Sequence, residues 1–361
     1  MTNQTQTPDP HSGQATGSGI PAKPQTSSNI AVIGAGAMGV VTAYHLGLAG
    51  AKVTFVVRAD RLPGFPRQFA LYSYDDASLK EFASFSVVGA AGDLSGGDFE
   101  FAILTPDGAA LASDQGRAML RALGAALRDQ KTVVIVGAVG IGLRDLVIAE
   151  TGLPEDRVIA GLFAMLAHQV EGFALPVHPP TDPALLDQAD FAYRHINEGG
   201  FLLETRNPEA AERFVQLYDR CGIAKCFTTT PEHFAMMING SGPINLLVGD
   251  GITPDVEASE EHRELWTLAI EAMRAIRGLS EHGEPGAASA ESLTVESVLA
   301  GQLALQTAAL PLDYPAFNAL HHGVKVRAAD VAMVEGAIAK GEAEGRDMKA
   351  ARGLLNRLAT R

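Results

Sequence analysis

Apolar residues run in short unbroken blocks through the first two thirds of the chain and at helical spacing through the last third. The first block, Ile30-Ala-Val-Ile33, follows the polar Asn29. It reads as a short buried parallel strand, because a strand covered on both faces shows no alternation. Gly34, Gly36 and Gly39 come next, and an Ala-, Leu- and Val-rich helix continues to about Ala49. Lys52–Val57 is a second strand, and Phe69–Tyr74 and Phe85–Val88 are shorter ones flanking a polar loop. Phe99–Leu104 and Thr132–Val136 are further buried strands, with a helix over Ala110–Asp129 between them. After Gly137-Ala-Val-Gly-Ile-Gly142 a helix turns Leu143, Leu146 and Val147 to one side. Val158–Leu166 and Gly200–Glu204 complete the strands, and Pro208–Cys221 is an amphipathic helix with Phe214, Leu217 and Tyr218 inward. Strands alternating with helices in this rhythm predict an α/β domain with a doubly wound parallel sheet.

Beyond the helix start at Thr228-Thr-Thr-Pro231, strand signals vanish. Helical spacing predicts helices over 231–249, 257–279, 291–309, 324–342 and 347–359, with 281–289 as a loop. The chain therefore divides into a tail (1–28), an α/β domain (29–229) and an all-α domain (230–361), with the active site expected in the cleft between the two domains. The tail is rich in Thr, Gln, Ser, Pro and Gly, and is expected to be disordered because it cannot bury enough apolar surface. It has neither the apolar core of a signal peptide nor the arginine-rich amphipathic helix of a transit peptide.

Composition narrows the partners. A formal charge of −14 over 361 residues argues against nucleic acid, and no run approaches the roughly 18 apolar residues of a membrane span. The only two cysteines, Cys221 and Cys226, make no disulfide framework and no zinc site, so a cytoplasmic protein with reduced thiols is expected.

The spacing Gly34-x-Gly36-x-x-Gly39 between a strand and a helix points to a dinucleotide. Gly34 permits the tight turn, Gly36 lets backbone N–H groups approach a pyrophosphate, and Gly39 lets helix and strand pack closely. Ala37 and Met38 open the helix whose positive end receives the pyrophosphate. The second strand ends at Arg58, with Arg61 three residues on; a ribose 2′-phosphate calls for arginine there, a free 2′-hydroxyl for an acid. NADP(H) is the expected cofactor, although Asp60 lies in the same loop.

These stretches resemble the ketopantoate reductase family. The resemblance rests on Ile33-Gly-Ala-Gly-Ala-Met-Gly39, Val53-Thr-Phe-Val-Val-Arg58, Val139-Gly-Ile-Gly142, Gly161-Leu-Phe-Ala-Met-Leu-Ala167 and Asp330-Val-Ala-Met-Val-Glu-Gly336. It implies an N-terminal Rossmann domain that binds NADPH and a helical domain like the C-terminal domain of 6-phosphogluconate dehydrogenase. It also implies that Thr105, Val139 and Ala167 lie beside the cofactor, Ala167 as the small residue next to the nicotinamide. The family's helix Lys-x-x-x-Asn-x-x-x-Asn falls on Met237, Ser241 and Asn245, its substrate-binding Ser on Asn318 and its carboxylate on Asp330.

A methionine cannot donate a proton to a developing alkoxide. Replacement donors lie nearby in His233, one turn before Met237, and in His321, His322 and Lys325. His321 and His322 are not expected to hold a metal, since neighbours on a helix point apart. The expected function is NADPH-dependent reduction of a carbonyl or imine other than ketopantoate, with the proton from a histidine, His233 the leading candidate, or from water, and with Asn245, Asn318 and Asp330 orienting the substrate. The alternative is a cofactor-binding protein that has lost hydride transfer and serves as a sensor, a scaffold or a non-redox catalyst. The partner is a small molecule, with an apolar one favoured by Met237 and Val139. A homodimer is an option the sequence leaves open.

Overall fold

The computed structural model describes residues 27–360, so the expectation of a disordered tail falls, but for Ser27 and Ser28, outside the described residues. Strand β1 (Asn29–Ile33) leads into helix α1 (Ala37–Leu48) and strand β2 (Lys52–Val56). Next come β3 (Phe69–Ser73), β4 (Ser78–Phe82), β5 (Phe85–Val88), β6 (Phe101–Leu104), α2 (Gly108–Ala112) and α3 (Asp114–Leu127). They are followed by β7 (Val133–Val136), α4 (Leu143–Thr151), β8 (Val158–Phe163), β9 (Met165–Gln169) and α5 (Pro183–Leu186). The strand-bearing part ends with β10 (Phe191–His195), β11 (Gly199–Glu204), α6 (Pro208–Tyr218) and β12 (Lys225–Thr229). From Pro231 onward the helices are α7 (Pro231–Gly249), α8 (Glu260–Arg277), α9 (Gly283–Ser292) and α10 (Val295–Ala309). They continue with α11 (Tyr314–Leu320), a π-helical turn (His321–Lys325), α12 (Arg327–Ala343) and α13 (Lys349–Ala359).

The main sheet has the order β12-β11-β8-β7-β6-β1-β2-β5. It is parallel from β8 to β5, while β11 runs antiparallel to β8. Alternate residues of the apolar runs serve opposite faces. Ile30, Val32, Phe101 and Ile103 pack with Val40 and Val41 of α1 and Phe214 of α6. Ala31, Ile33, Ala102 and Leu104 pack with Leu120 and Leu123 of α3 and Val147 of α4. Both faces are covered, which is why these strands carry no polar alternation.

A second sheet, in the order β4-β3-β10-β9, lies across α1. One of its faces adds Leu71, Tyr193, Met165 and Ala167 to the core around α1, and the other packs Tyr72, Tyr74 and Ala192 against Leu312 and Phe317. This sheet corrects the expectation of one strand over Val158–Leu166. The chain leaves the main sheet at Ala164, whose N–H donates to Gly200 O (3.1 Å), and β9 then pairs with β10. Residues 281–289 are not a loop, because α9 starts at Gly283. Pro285 falls in its first turn, where a missing N–H costs nothing. Gly286 is there for space, since a Cβ would lie 2.3 Å from His282 Cβ. Several helices start three or four residues later than expected: Ser113 caps α3 after the separate short helix α2, Ser259 and Thr294 cap α8 and α10, and the π-helical turn delays α12 to Arg327. Thr228 and Thr229 end strand β12, and only Thr230 caps α7, its side chain accepting from His233 N.

Packing disfavours the charged form of several histidines, among them the buried His45 and His168 and the partly buried His321. Burial, reinforced by the charge of His195, pushes His45 well below the ordinary histidine range, and its Nδ1 sits 2.6 Å from the Tyr218 hydroxyl. Burial likewise lowers His168, and burial together with His322 and Lys325 pushes His321 down to about 3. The unfolded chain takes up a proton at each near pH 6.5 and the fold does not. Their contribution to stability is therefore complete above that pH and is lost as pH falls below it. Unfolding followed by urea between pH 7.5 and 5 is expected to show stability falling with a limiting slope of about 1.4 kcal/mol per pH unit for each such histidine. A flat profile would show that these imidazoles are charged in the fold.

Candidate active site

The turn after β1 is built around a contact between loops. Gly34 has φ +105°, its N–H donates to Val56 O (2.9 Å), and a Cβ there would lie 2.4 Å from Thr105 Oγ1. A Cβ on Gly39 would meet Gly34 O at 2.6 Å, so helix and turn touch backbone to backbone. Gly36 is different: it caps α1 with ordinary extended geometry, is exposed, and a Cβ on it would meet nothing within 4 Å. Bare backbone at a helix N-terminus with no acidic residue in its first turn is suited to an anion. Ala37 is buried, while Met38 is partly buried against the sheet core.

Arg58 follows β2 and caps the short 3₁₀ turn that carries Arg61. Both arginines are exposed. Arg58 Nε lies 3.6 Å from Asp60 Oδ1, with both side chains more than half exposed, so the pairing is weak and reversible.

The helical part sits over the loops at the carboxyl ends of β6 and β7. Phe234 and Ile238 of α7 and Met333 of α12 pack with Leu202 and Val139, and a Cβ on Gly336 would lie 3.7 Å from Ile141. Val139 thus joins the apolar seam between the two parts. His233, Met237, Ser241 and Asn245 form the more accessible stripe of α7, with Met237 38% exposed. Asn245 Nδ2 donates to Ser241 Oγ (3.4 Å), which donates to Ile238 O (2.8 Å).

The other expected residues separate into two groups. Ala167 is 1% exposed and belongs to the core around α1. Asn318 is 2% exposed, and its Nδ2 donates to Tyr314 O (2.9 Å) within its own helix. Asp330, also buried, accepts from His322 Nδ1 at 2.8 Å, a pairing that sequence reasoning missed. The π-helical turn creates it. The wide turn also brings the His321 and His322 rings edge to face at 4.8 Å, correcting the expectation that these neighbours point apart. His321 stacks on Phe317 at 5.4 Å, and Lys325 lies within electrostatic reach of His321, His168 and Asp107. The turn is pressed against α7 where Gly249 and Gly323 touch; a Cβ on Gly323 would lie 2.3 Å from Gly249 O. Asn245, one helical turn before Gly249, therefore comes close to the same turn.

Residues 30–175 match the family model described as ketopantoate reductase PanE/ApbA. The expected resemblance stands. The ketopantoate reductase-like architecture extends to solved structures over nearly the whole chain. A 2-dehydropantoate 2-reductase from Geobacter metallireducens GS-15 is 17% identical, with 92% of this chain and 99% of that one covered and a TM-score of 0.58. The enzyme of that name from Methylococcus capsulatus is 18% identical, with 92% and 96% covered and a TM-score of 0.60. A D-mandelate dehydrogenase solved with NADH and anilino(oxo)acetate is 16% identical, with 92% and 97% covered and a TM-score of 0.60. At these identities the likeness is one of fold. Among curated proteins none matches significantly.

The glycine geometry separates two substitutions. Gly34→Ala forces a side chain into left-handed backbone and against Thr105, and should cost about 1–3 kcal/mol of stability in urea unfolding. Gly36→Ala should stay within about 1 kcal/mol of the parent. Equal losses at the two positions would contradict the turn described.

Proposed function

We propose that this chain is an NADPH-dependent reductase of a carbonyl or imine, ketopantoate reductase-like in fold but acting on a substrate other than ketopantoate. The observation that carries the reading is the exposed backbone at Gly36, at the N-terminus of α1, in the loop whose Gly34 N–H donates to Val56 O at the end of β2, two residues before Arg58. A pyrophosphate placed there receives backbone N–H groups and the helix dipole, and a 2′-phosphate at the end of β2 meets Arg58 and Arg61. The cofactor supplies the hydride when bound. The strand-bearing part then serves as the cofactor domain, and the helical part, from about residue 230, as the substrate domain.

The protein's own contribution is orientation and a proton. His322 suits the donor role better than His233. The His233 side chain has no hydrogen-bond partner among the described residues, whereas Asp330 fixes the His322 ring by its Nδ1–H and leaves Nε2 to face a substrate oxygen or nitrogen. Asn245 and Ser241 supply polar contacts along the α7 stripe, and Met237 and Val139 give an apolar wall. Asn318 acts by holding α11 beneath the π-helical turn. The free thiols Cys221 and Cys226 support a cytoplasmic location. Helix α10 supports a homodimer: its 15 residues carry one charge, Glu296, yet only Ala309 is buried. Among the described residues, no helix is long and apolar enough to cross a membrane.

Met237 at the family's lysine position keeps a second reading open, in which the chain binds cofactor but transfers no hydride. NADPH oxidation against 2-oxo acids, ketones and cyclic imines separates the two, because binding without turnover on every class would favour the second.

Two further outcomes are expected. NADPH should bind about tenfold tighter than NADH, and Arg58→Glu should abolish or invert that preference in a fluorescence titration, since a charge-assisted contact contributes about 1.5–3 kcal/mol. Equal affinities in the unmutated protein would remove the NADP(H) assignment. His322→Gln should lower kcat by about 10²–10⁴-fold with NADPH affinity unchanged. The same loss from His233→Ala, with His322→Gln silent, would move the donor back to α7.

A further inference from the structure

The His322–Asp330 pair depends on a turn that its own residues do little to secure. The Val326 N–H donates to His321 O (2.8 Å), five residues back, and Val326 gives α12 no side-chain cap. Wide turns of this kind are rare in helices and recur at functional sites. The groups that hold this one in place come from the end of α7.

Gly249 presses on the turn at His322 itself, since a Cβ on Gly249 would lie 2.7 Å from the His322 carbonyl carbon. The next residue, Asp250, ends α7 and pairs with Arg327, the first residue of α12. The contact is two-pronged: Arg327 Nη1 lies 3.0 Å from Asp250 Oδ1, and Nη2 donates to Oδ2 at 3.2 Å. Nη1 also donates to Leu246 O (2.9 Å). Both side chains are mostly buried, which sets the pair apart from a loose surface bridge. It therefore brackets the turn, with one partner beside the backbone that touches His322 and the other two residues beyond Lys325.

Helix electrostatics explain neither residue. A helix favours a cation at its C-terminus and an anion at its N-terminus. Here an acid ends α7 and a base begins α12. What the two residues offer is their contact with each other across the turn.

We propose that Asp250 and Arg327 are positioning residues for the proton donor: their pair holds the π-helical turn in the form that seats the His322 ring on Asp330. The alternative for this stretch is a regular helix, in which His322 and Asp330 stand about 12 Å apart along the axis. Rewinding the turn carries Arg327 away from Asp250, so the two-pronged contact opposes it. The catalytic consequence rests on the donor role given to His322 above.

The test reads the ring before it reads the rate. In the full chain, isotope-labelled at histidine nitrogen and held above the ordinary histidine titration range, the His322 resonance is assigned by its loss in His322→Gln. It should show the proton on Nδ1, where Asp330 accepts it. Asp250→Asn, which keeps size and shape, and Arg327→Met should both replace this with the mixed tautomers of an unheld ring. Glu150→Gln, which breaks a partly buried pair with Arg117 (2.6 Å) on α3, should leave the resonance as it is. In turnover, both clamp variants should lower kcat by up to about 10²-fold with KM and NADPH affinity unchanged. An unchanged His322 resonance in Asp250→Asn, or the same change in Glu150→Gln, would overturn the proposal. Should Arg327→Met not fold, Asp250→Asn alone decides. The tautomer is read without substrate, so a held ring in a chain that reduces nothing would remove the reductase reading and leave the clamp standing.

Discussion

The carbonyl of Ile33 accepts two hydrogen bonds from one residue, Thr105 N at 3.0 Å and Thr105 Oγ1 at 2.9 Å. This double contact ties the end of β1 to the end of β6 where Gly34 turns the chain away. It fills the space beside Gly34 so fully that no side chain fits there, and it sets the direction in which α1 departs. The open backbone at Gly36 follows from that direction, while the pairing of Ile33 with Val56 sets the end of β2 and with it Arg58 beside the same loop. A hydroxyl fills this position, and the turn is held by short, neutral bonds.

The second sheet couples this turn to the helical part. One face packs on α1 and the other on Phe317 of α11, which stacks on His321 in the π-helical turn. A continuous run of packed side chains therefore connects the first helix to the His322–Asp330 pair. Closely packed interiors transmit small displacements, so α1 and the pair share a rigid frame, although they derive from opposite ends of the sequence.

Much of this was legible from local signals. The strand, glycines and helix around Ile33–Gly39 advertise themselves because each glycine answers a steric demand within a few residues. The buried strands β6 and β7 show as unbroken apolar runs, and the Thr230–Pro231 start of α7 follows from capping chemistry. The second sheet was not legible as a unit, because Phe191–Tyr193 pairs with Leu71–Ser73 across more than a hundred residues. No short-range pattern encodes such a partner. Helix α9 was hidden by two glycines and a proline that act as breakers elsewhere. In the candidate site, Asp330 was found by resemblance, but its partnership with His322 was not. In a regular helix, residues eight apart share a face but stand about 12 Å apart along the axis, and only the wide turn brings them together.

Under the proposed reductase reading, that turn bears on Met237, where the resemblance expects a lysine. A lysine on α7 reaches its substrate by a long flexible stem, and holding that stem costs side-chain entropy of up to about 2 kcal/mol. An imidazole clamped by a buried carboxylate is already ordered, but its reach is short. A substrate served by His322 must sit nearer the π-helical turn than one served from position 237, with its apolar portion along Met237 and Val139. Ketopantoate is small and polar, and gains little from such a wall. A substrate with an apolar group beside its carbonyl or imine uses both features at once, and the exchange of lysine for methionine then widens the cleft where that group would lie.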